Sequence, residues 1–219
     1  MRKLLLIRPE PGLSASQERA RALGLDVICC PLFEVEPVAW DAPDPARYDA
    51  LMLSSANAVR HGGARLDAVQ VLPVHAVGEA TASAARQAGF EVKTVGEADL
   101  TALLSQLPPS LRLLHLAGED HRDTGKSRID RRIVYRSTAI ADPRLPPLAG
   151  LVAAVHSPRA GARLAELTNH RSETAIAAVS EAAAAACGTG WQRVEASLEP
   201  SDKSLLALAA MLCHTSPSQ

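Results

Sequence analysis

Tyr48 and Tyr135 are the only tyrosines in a chain of 219 residues. Tyr135 lies in RIVYRSTAI (132–140), a segment of alternating polar and apolar residues. A phenol held there could deliver a proton to a bound group. Spacing alone suits a packing tyrosine better, because strands are enriched in this residue. Four short segments carry the other candidates: SSAN (54–57), GEAT (78–81), AGED (117–120) and HSPR (156–159). Each follows an apolar run and opens a helical one, so each sits where a strand's carboxyl end meets a helix. The unpaired N–H groups of a first helical turn bind carboxylates and phosphates. Simple capping by Ser54, Ser55, Ser157 and Thr81 also explains part of the pattern. The seven histidines show no HxxxH or HExxH spacing, so no metal site is expected. His115 and His156 at strand ends read as ordinary polar residues, and GEDH (118–121) reads as a solvated loop. No GxGxxG and no GxxxxGK[ST] occurs, so nothing signals a dinucleotide or a nucleoside triphosphate.

The elements that must position these residues are legible as alternating strands and Ala-rich helices, the rhythm of βα units around parallel sheets. LLLI (4–7), DVICC (26–30), DALML (49–53), PVHAVG (73–78), RLLHLAG (112–118), LVAAVHS (151–157) and TAIAAVS (174–180) read as strands. SASQERARALG (14–24) and EATASAARQAG (79–89) read as helices, each closed by a glycine. An internal repeat runs through this series. DALMLSSANAV matches LVAAVHSPRAG with Ser55 opposite Ser157, and AVGEATASAA matches AVSEAAAAAC with Gly78 opposite Ser180. Both matches have an offset of 102 residues, which predicts two similar α/β units. FEVEPV (33–38) and RIVYRSTAI are polar-rich strands beside prolines, and they read as a pair of connectors. The expected division is therefore a discontinuous first lobe, 1–36 plus 140–219, with a second lobe, 37–139, inserted into it. Residues near 36–39 and 135–140 should pair as crossing strands, with a ligand cleft between the lobes.

Composition narrows the class of function. Net charge is −1 and aromatics are 3%, which argues against a nucleic-acid partner. No apolar run approaches the ~20 residues needed to span a bilayer, and Leu4–Ile7 is too short for a secretory signal. The four cysteines, Cys29, Cys30, Cys187 and Cys213, form no CxxC pair and read as buried thiols of a cytoplasmic protein.

The runs LSSANAV, HAVGEATASAARQAGF, the strand ending in Val134-Tyr135, and VHSPRAG resemble, in this order, the signatures of uroporphyrinogen-III synthases. The resemblance covers most of the chain. It implies two flavodoxin-like lobes joined by a two-stranded connector, and a cofactor-free hydro-lyase of haem biosynthesis, expected to be a monomer. Its substrate would be hydroxymethylbilane, a linear tetrapyrrole with eight carboxylates. The terminal hydroxyl leaves, the substituted carbon of the last ring attacks, a spiro intermediate opens, and reclosure inverts ring D. By motif match, Thr81 takes the place of the family's first GxxT threonine, and Tyr135 that of its connector tyrosine. Tyr135 would assist hydroxide departure. Thr81, Gly78, Ser54, Ser55, Asn57, Ser157 and Gly118, with neighbouring amides, would anchor carboxylates, and Arg8 and Arg159 are candidate cations. Two features depart from the pattern. The second GxxT would fall on Ser180 to Ala183, where Ala183 lacks the hydroxyl, and the segment 118–135 is short for the family's usual helix. These departures keep open a second reading, a catalytically degenerate two-lobed binding protein of the same fold.

Overall fold

The computed structural model describes residues 1–96, 100–120 and 128–215. Two sheets organise the chain, which divides into two compact units: Met1–Glu34 with Ala139–Gln219, and Val35–Thr138.

The first unit contains β1 (Leu4–Leu6), α1 (Gly12–Ala22) and β2 (Val27–Cys29), then, after the second unit, β9 (Val152–Val155), α5 (Pro158–Leu167), β10 (Ala175–Ala178), α6 (Glu181–Ala186), β11 (Arg193–Ala196) and α7 (Asp202–His214). Its sheet runs β2-β1-β9-β10-β11 and is parallel throughout. Read in chain order this is 2-1-3-4-5, the flavodoxin-like arrangement. The three inner strands are wholly buried, as parallel strands covered by helices on both faces must be. One face packs Leu5, Ile7, Ala153, Val155, Ile176 and Ala178 against α5 and α6. The other packs Leu4, Leu6, Val152 and Ala154 against α1 and α7. With so few aromatics, this core depends on close backbone approach. Gly161 of α5 shows how close, since a Cβ there would lie 3.0 Å from the Ala183 carbonyl oxygen of α6.

The second unit contains β4 (Ala50–Leu53), α2 (Ala56–His61), β5 (Val74–Val77), α3 (Glu79–Gln87), β6 (Val92–Gly96), α4 (Leu100–Gln106) and β7 (Leu113–Gly118). It is bounded by β3 (Phe33–Pro37) and β8 (Ile129–Ala139), and its sheet runs β3-β8-β7-β4-β5-β6. β4 to β8 pair in parallel. β3 runs antiparallel to β8: Val38 N–H donates to the Val134 carbonyl and Ile140 N–H to that of Leu32. The connector pair expected near 36–39 and 135–140 thus runs from 32–38 against 134–140, and β8 is longer than read from the sequence because its first half also serves as a strand beside β7. β8-β7-β4-β5-β6 has the same spatial order as the first sheet, but the two strands that come first in one unit come last in the other. The 102-residue offset recurs in the elements: β4 and β9 are 102 residues apart, end to end. The expected loss of a helix between Gly118 and Tyr135 falls mostly on residues 121–127, outside the described residues; β8 already begins at Ile129.

α1 begins two residues before the helix read from sequence, because Glu10 takes up the early donors: Ser14 N–H and Oγ–H both donate to its carboxylate. No described helix is long and apolar enough to cross a membrane.

Candidate functional site

In a doubly wound sheet, ligands bind beyond the carboxyl ends of the strands, where the order of connections reverses. In the second unit that point lies between β4 and β7, since the chain winds from β4 to β5 and β6 one way and from β7 to β8 the other. A cavity of about 230 Å³ is found there, lined by Ser54, Ser55, Leu100, His115, Gly118, Asp120 and Tyr135. Four residues expected from the sequence, Ser54, Ser55, Gly118 and Tyr135, are therefore brought together.

Each is held for a local reason. Ser55 is the extended residue before α2, and its Oγ accepts from Asn57 N–H at 3.2 Å, a conventional cap. Ser54 caps nothing. Its Oγ lies 2.9 Å from His115 Nε2. Tyr135 owes its place to an irregularity in β8: Ala117 lies opposite Ile133, but Gly118 lies opposite Tyr135 rather than Val134. The extra residue turns the tyrosine toward the pocket, a common effect of bulges beside functional sites. Its ring passes directly over Gly118, where a Cβ would lie 2.6 Å from Cζ and 2.8 Å from the hydroxyl oxygen. On its other side stands His61, with ring centroids 6.3 Å apart. Burial and the neighbouring Arg60 push the His61 imidazole below its ordinary range, so it faces Tyr135 as a neutral ring.

The remaining candidates lie elsewhere. Gly78, at φ +78°, is the residue before α3, and Thr81 is buried inside that helix rather than capping it. Asn57 accepts a 3.4 Å hydrogen bond from Arg60. Ser157 caps α5 by accepting from Ala160 N–H at 3.2 Å. Arg159 lies with its guanidinium carbon 4.6 Å from the centre of the Phe33 ring. Ala183 is fully buried, and its N–H donates to Ser180 Oγ at 3.3 Å. The hydroxyl missing at Ala183 thus has a counterpart one turn earlier, where Gly78 offers none.

Arg8 is committed within the first unit. Its guanidinium donates to Ser16 Oγ at 2.9 Å and to Asp202 Oδ1 at 3.1 Å. Asp202 also accepts from Ser16 Oγ–H at 2.5 Å, from His156 Nε2 at 2.8 Å and from Arg19. His156 follows β9 and Arg8 follows β1, so this cluster occupies the first unit's own reversal point, the counterpart of the pocket beside β4 and β7. The correspondence holds in sequence: Asp202 stands 102 residues after Leu100, which lines the open pocket. Burial lowers the His156 pKa despite the hydrogen bond to Asp202, so the imidazole donates as a neutral group. Hydrogen bonds from His156, Ser16 and Arg19 overcome burial and hold the Asp202 carboxyl far below its ordinary range.

Sequence reasoning did not single out His115 or Leu100 as pocket residues, and it read Asp120, within the candidate segment AGED, as part of a solvated loop. His115 is fully buried, with Arg131 Nε donating to its Nδ1 at 3.5 Å. A polar residue at the centre of RLLHLAG, in a strand buried on both faces, was the available signal. Among the described residues no group of three or more His, Cys, Asp or Glu is placed to hold a metal ion.

A phenol, two serine hydroxyls and an imidazole gathered at the reversal point of a parallel sheet are the arrangement expected of an α/β enzyme. The family model for uroporphyrinogen-III synthase HemD matches residues 14–207. The chain belongs to the uroporphyrinogen-III synthase family, cyclising lyases of porphyrin and haem biosynthesis. Among solved structures, the uroporphyrinogen-III synthetase of Helicobacter pylori is similar with a TM-score of 0.70 at 16% identity, covering 97% of this chain and 100% of that one. A mutant uroporphyrinogen III synthase of the extreme thermophile Thermus thermophilus gives 0.56 at 16% identity, covering 96% and 99%. At such identity the likeness is one of fold. Comparison with curated proteins finds no match.

Proposed function

We propose that this chain converts hydroxymethylbilane to uroporphyrinogen III with the pocket beside β4 and β7 as the place where the hydroxyl departs. The observation that carries this reading is the Tyr135 phenol, half-buried in one pocket with Ser54 and Ser55 and backed by Gly118. Loss of hydroxide from the substrate needs a hydrogen bond or proton as charge develops on the oxygen, and a phenol can supply either. The proton leaves with the hydroxyl as water, and the cation left behind is attacked by the substituted carbon of ring D. Closure without inversion is intrinsically easy, so the protein's further task is to orient a flexible chain. Ser54 and Ser55 suit a carboxylate arm at the pocket. The helix starts at Gly78–Thr81 and Ser157–Arg159 supply amide donors of the same kind. Arg8, bound to Asp202, acts through the fold rather than on the substrate in this reading. A monomer working in the cytoplasm is the matching expectation, supported by four free cysteines; sedimentation tests the monomer.

The test is an assay of the purified protein with freshly generated hydroxymethylbilane, scored by the ratio of type III to type I product. Type III should dominate. Tyr135→Phe should lower the type III rate about 10²-fold, the lower end of what acid assistance contributes, with the fold unchanged by circular dichroism. Full activity in that variant would make Tyr135 a packing residue.

A further inference from the structure

The Ser54–His115 contact has the appearance of a nucleophile and its base, yet the partner on the other side of the ring argues for a different use. Arg131 lies beside His115 in register, β8 against β7, and its Nε donates to Nδ1. A guanidinium has only donors, so Nδ1 must face it with a lone pair. In a neutral imidazole the single ring proton is then on Nε2, and the 2.9 Å contact is a donation from His115 to Ser54 Oγ. A hydroxyl that accepts in this way keeps its own O–H for another acceptor. His115 is fully buried and Ser54 half-buried at the pocket wall, so the ring is fixed and the hydroxyl is the end that meets the cavity.

We propose that His115 is a positioning residue: set by Arg131 in the Nε2–H form, it turns Ser54 into an oriented hydrogen-bond donor for an anionic group, a carboxylate of the substrate, in the pocket beside β4 and β7. This rests on the synthase reading for the identity of the substrate, while the tautomer itself does not. No covalent step passes through Ser54, because an imidazole that donates cannot take its proton.

Two measurements test it. Long-range ¹H–¹⁵N correlation spectra of the intact wild-type protein, assigned with His115→Gln, should show His115 with a protonated Nε2 and a bare Nδ1. A proton on Nδ1, or on both nitrogens, overturns the proposal whatever the activity. In steady-state assays with hydroxymethylbilane, Ser54→Ala and His115→Leu should each raise KM about 10-fold, as expected for one hydrogen bond to a charged group, with kcat within about two-fold. The double variant should be no worse than either single one, because both remove one interaction. His115→Gln, whose amide can donate from near the Nε2 position, should restore KM to within about three-fold. An unchanged KM in Ser54→Ala, or a His115→Leu defect that Gln does not rescue in a folded protein, overturns it. A wild-type protein that forms no type III product would instead sink the synthase reading, with the spectra still deciding the tautomer.

Discussion

Glycine at position 118 is required by its neighbour rather than by its own backbone. It has no positive φ, but the Tyr135 ring occupies the space a side chain would need. Gly118→Ala should therefore displace the phenol and lower activity nearly as far as Tyr135→Phe, although a methyl group is a small change for the sheet. A crystal structure of the variant checks the cause; an unmoved ring with lost activity would contradict it. Tyr135 and the serines were legible in the sequence because scarcity and position after a strand mark them. His115 was not, because its meaning comes from Arg131 and Ser54, which parallel pairing places on either side of it. The partner of Arg8 was hidden for a related reason. A lone arginine after a strand reads as a cation for ligands, and its partner Asp202 lies 194 residues away in sequence.

Helix starts are where the two units diverge. Ser55, Ser157, Ser180 and Ser201 each cap a helix through the side chain; Ser55 and Ser157 were read as caps from the sequence, whereas Ser54 and Thr81, read the same way, cap nothing. Ser157→Ala should cost about 1 kcal/mol, seen as a lowered denaturant midpoint with an unchanged slope. What could not be read was that Asp202 in the first turn of α7 plugs one reversal point while Leu100 of α4, its counterpart by the 102-residue offset, lines an open one. The plug makes the first unit sensitive to acid. His156 is held below its ordinary pKa, so the unfolded chain takes up that proton first, and stability falls once pH drops below about 6.5. Asp202 is also held low, so its contribution is complete above the ordinary carboxylate range and is lost as pH falls through and below it. Thermal melts from pH 8 down to pH 2 should show both limbs, the first below about pH 6.5 and the second below about pH 4. His156→Asn should flatten the first, and a melt independent of pH across this span would refute the assignment. Asp202→Asn at neutral pH should destabilise by about 1–3 kcal/mol, because Arg8 loses its charged partner in a half-buried site.

At the scale of the whole chain, the 102-residue offset was visible because α/β units repeat their strand-to-helix junctions, and it survives to the residue in β4 and β9. The permutation was harder to see: nothing local to Leu4–Leu6 says that its sheet neighbour on one side is Val152–Ala154. The first half of β8 was also hidden, since Asp130 to Arg132 is a run of three charged residues that does not look like a strand. This topology has a consequence for biogenesis. A ribosome delivers β1 and β2 first, but β1 cannot fill its place until β9, almost 150 residues later, has emerged. Residues 35–138 are contiguous and need nothing further downstream for their own sheet. Long-range pairing is slow to form, and domains tend to fold as units during synthesis. The inserted half should thus mature first while the opening segment waits, exposing a Leu-rich strand to chaperones. Nascent chains stalled near residue 185 should yield a protease-resistant core ending near residue 138 with the first 34 residues digested; early protection of that opening segment would show that it finds its partners sooner.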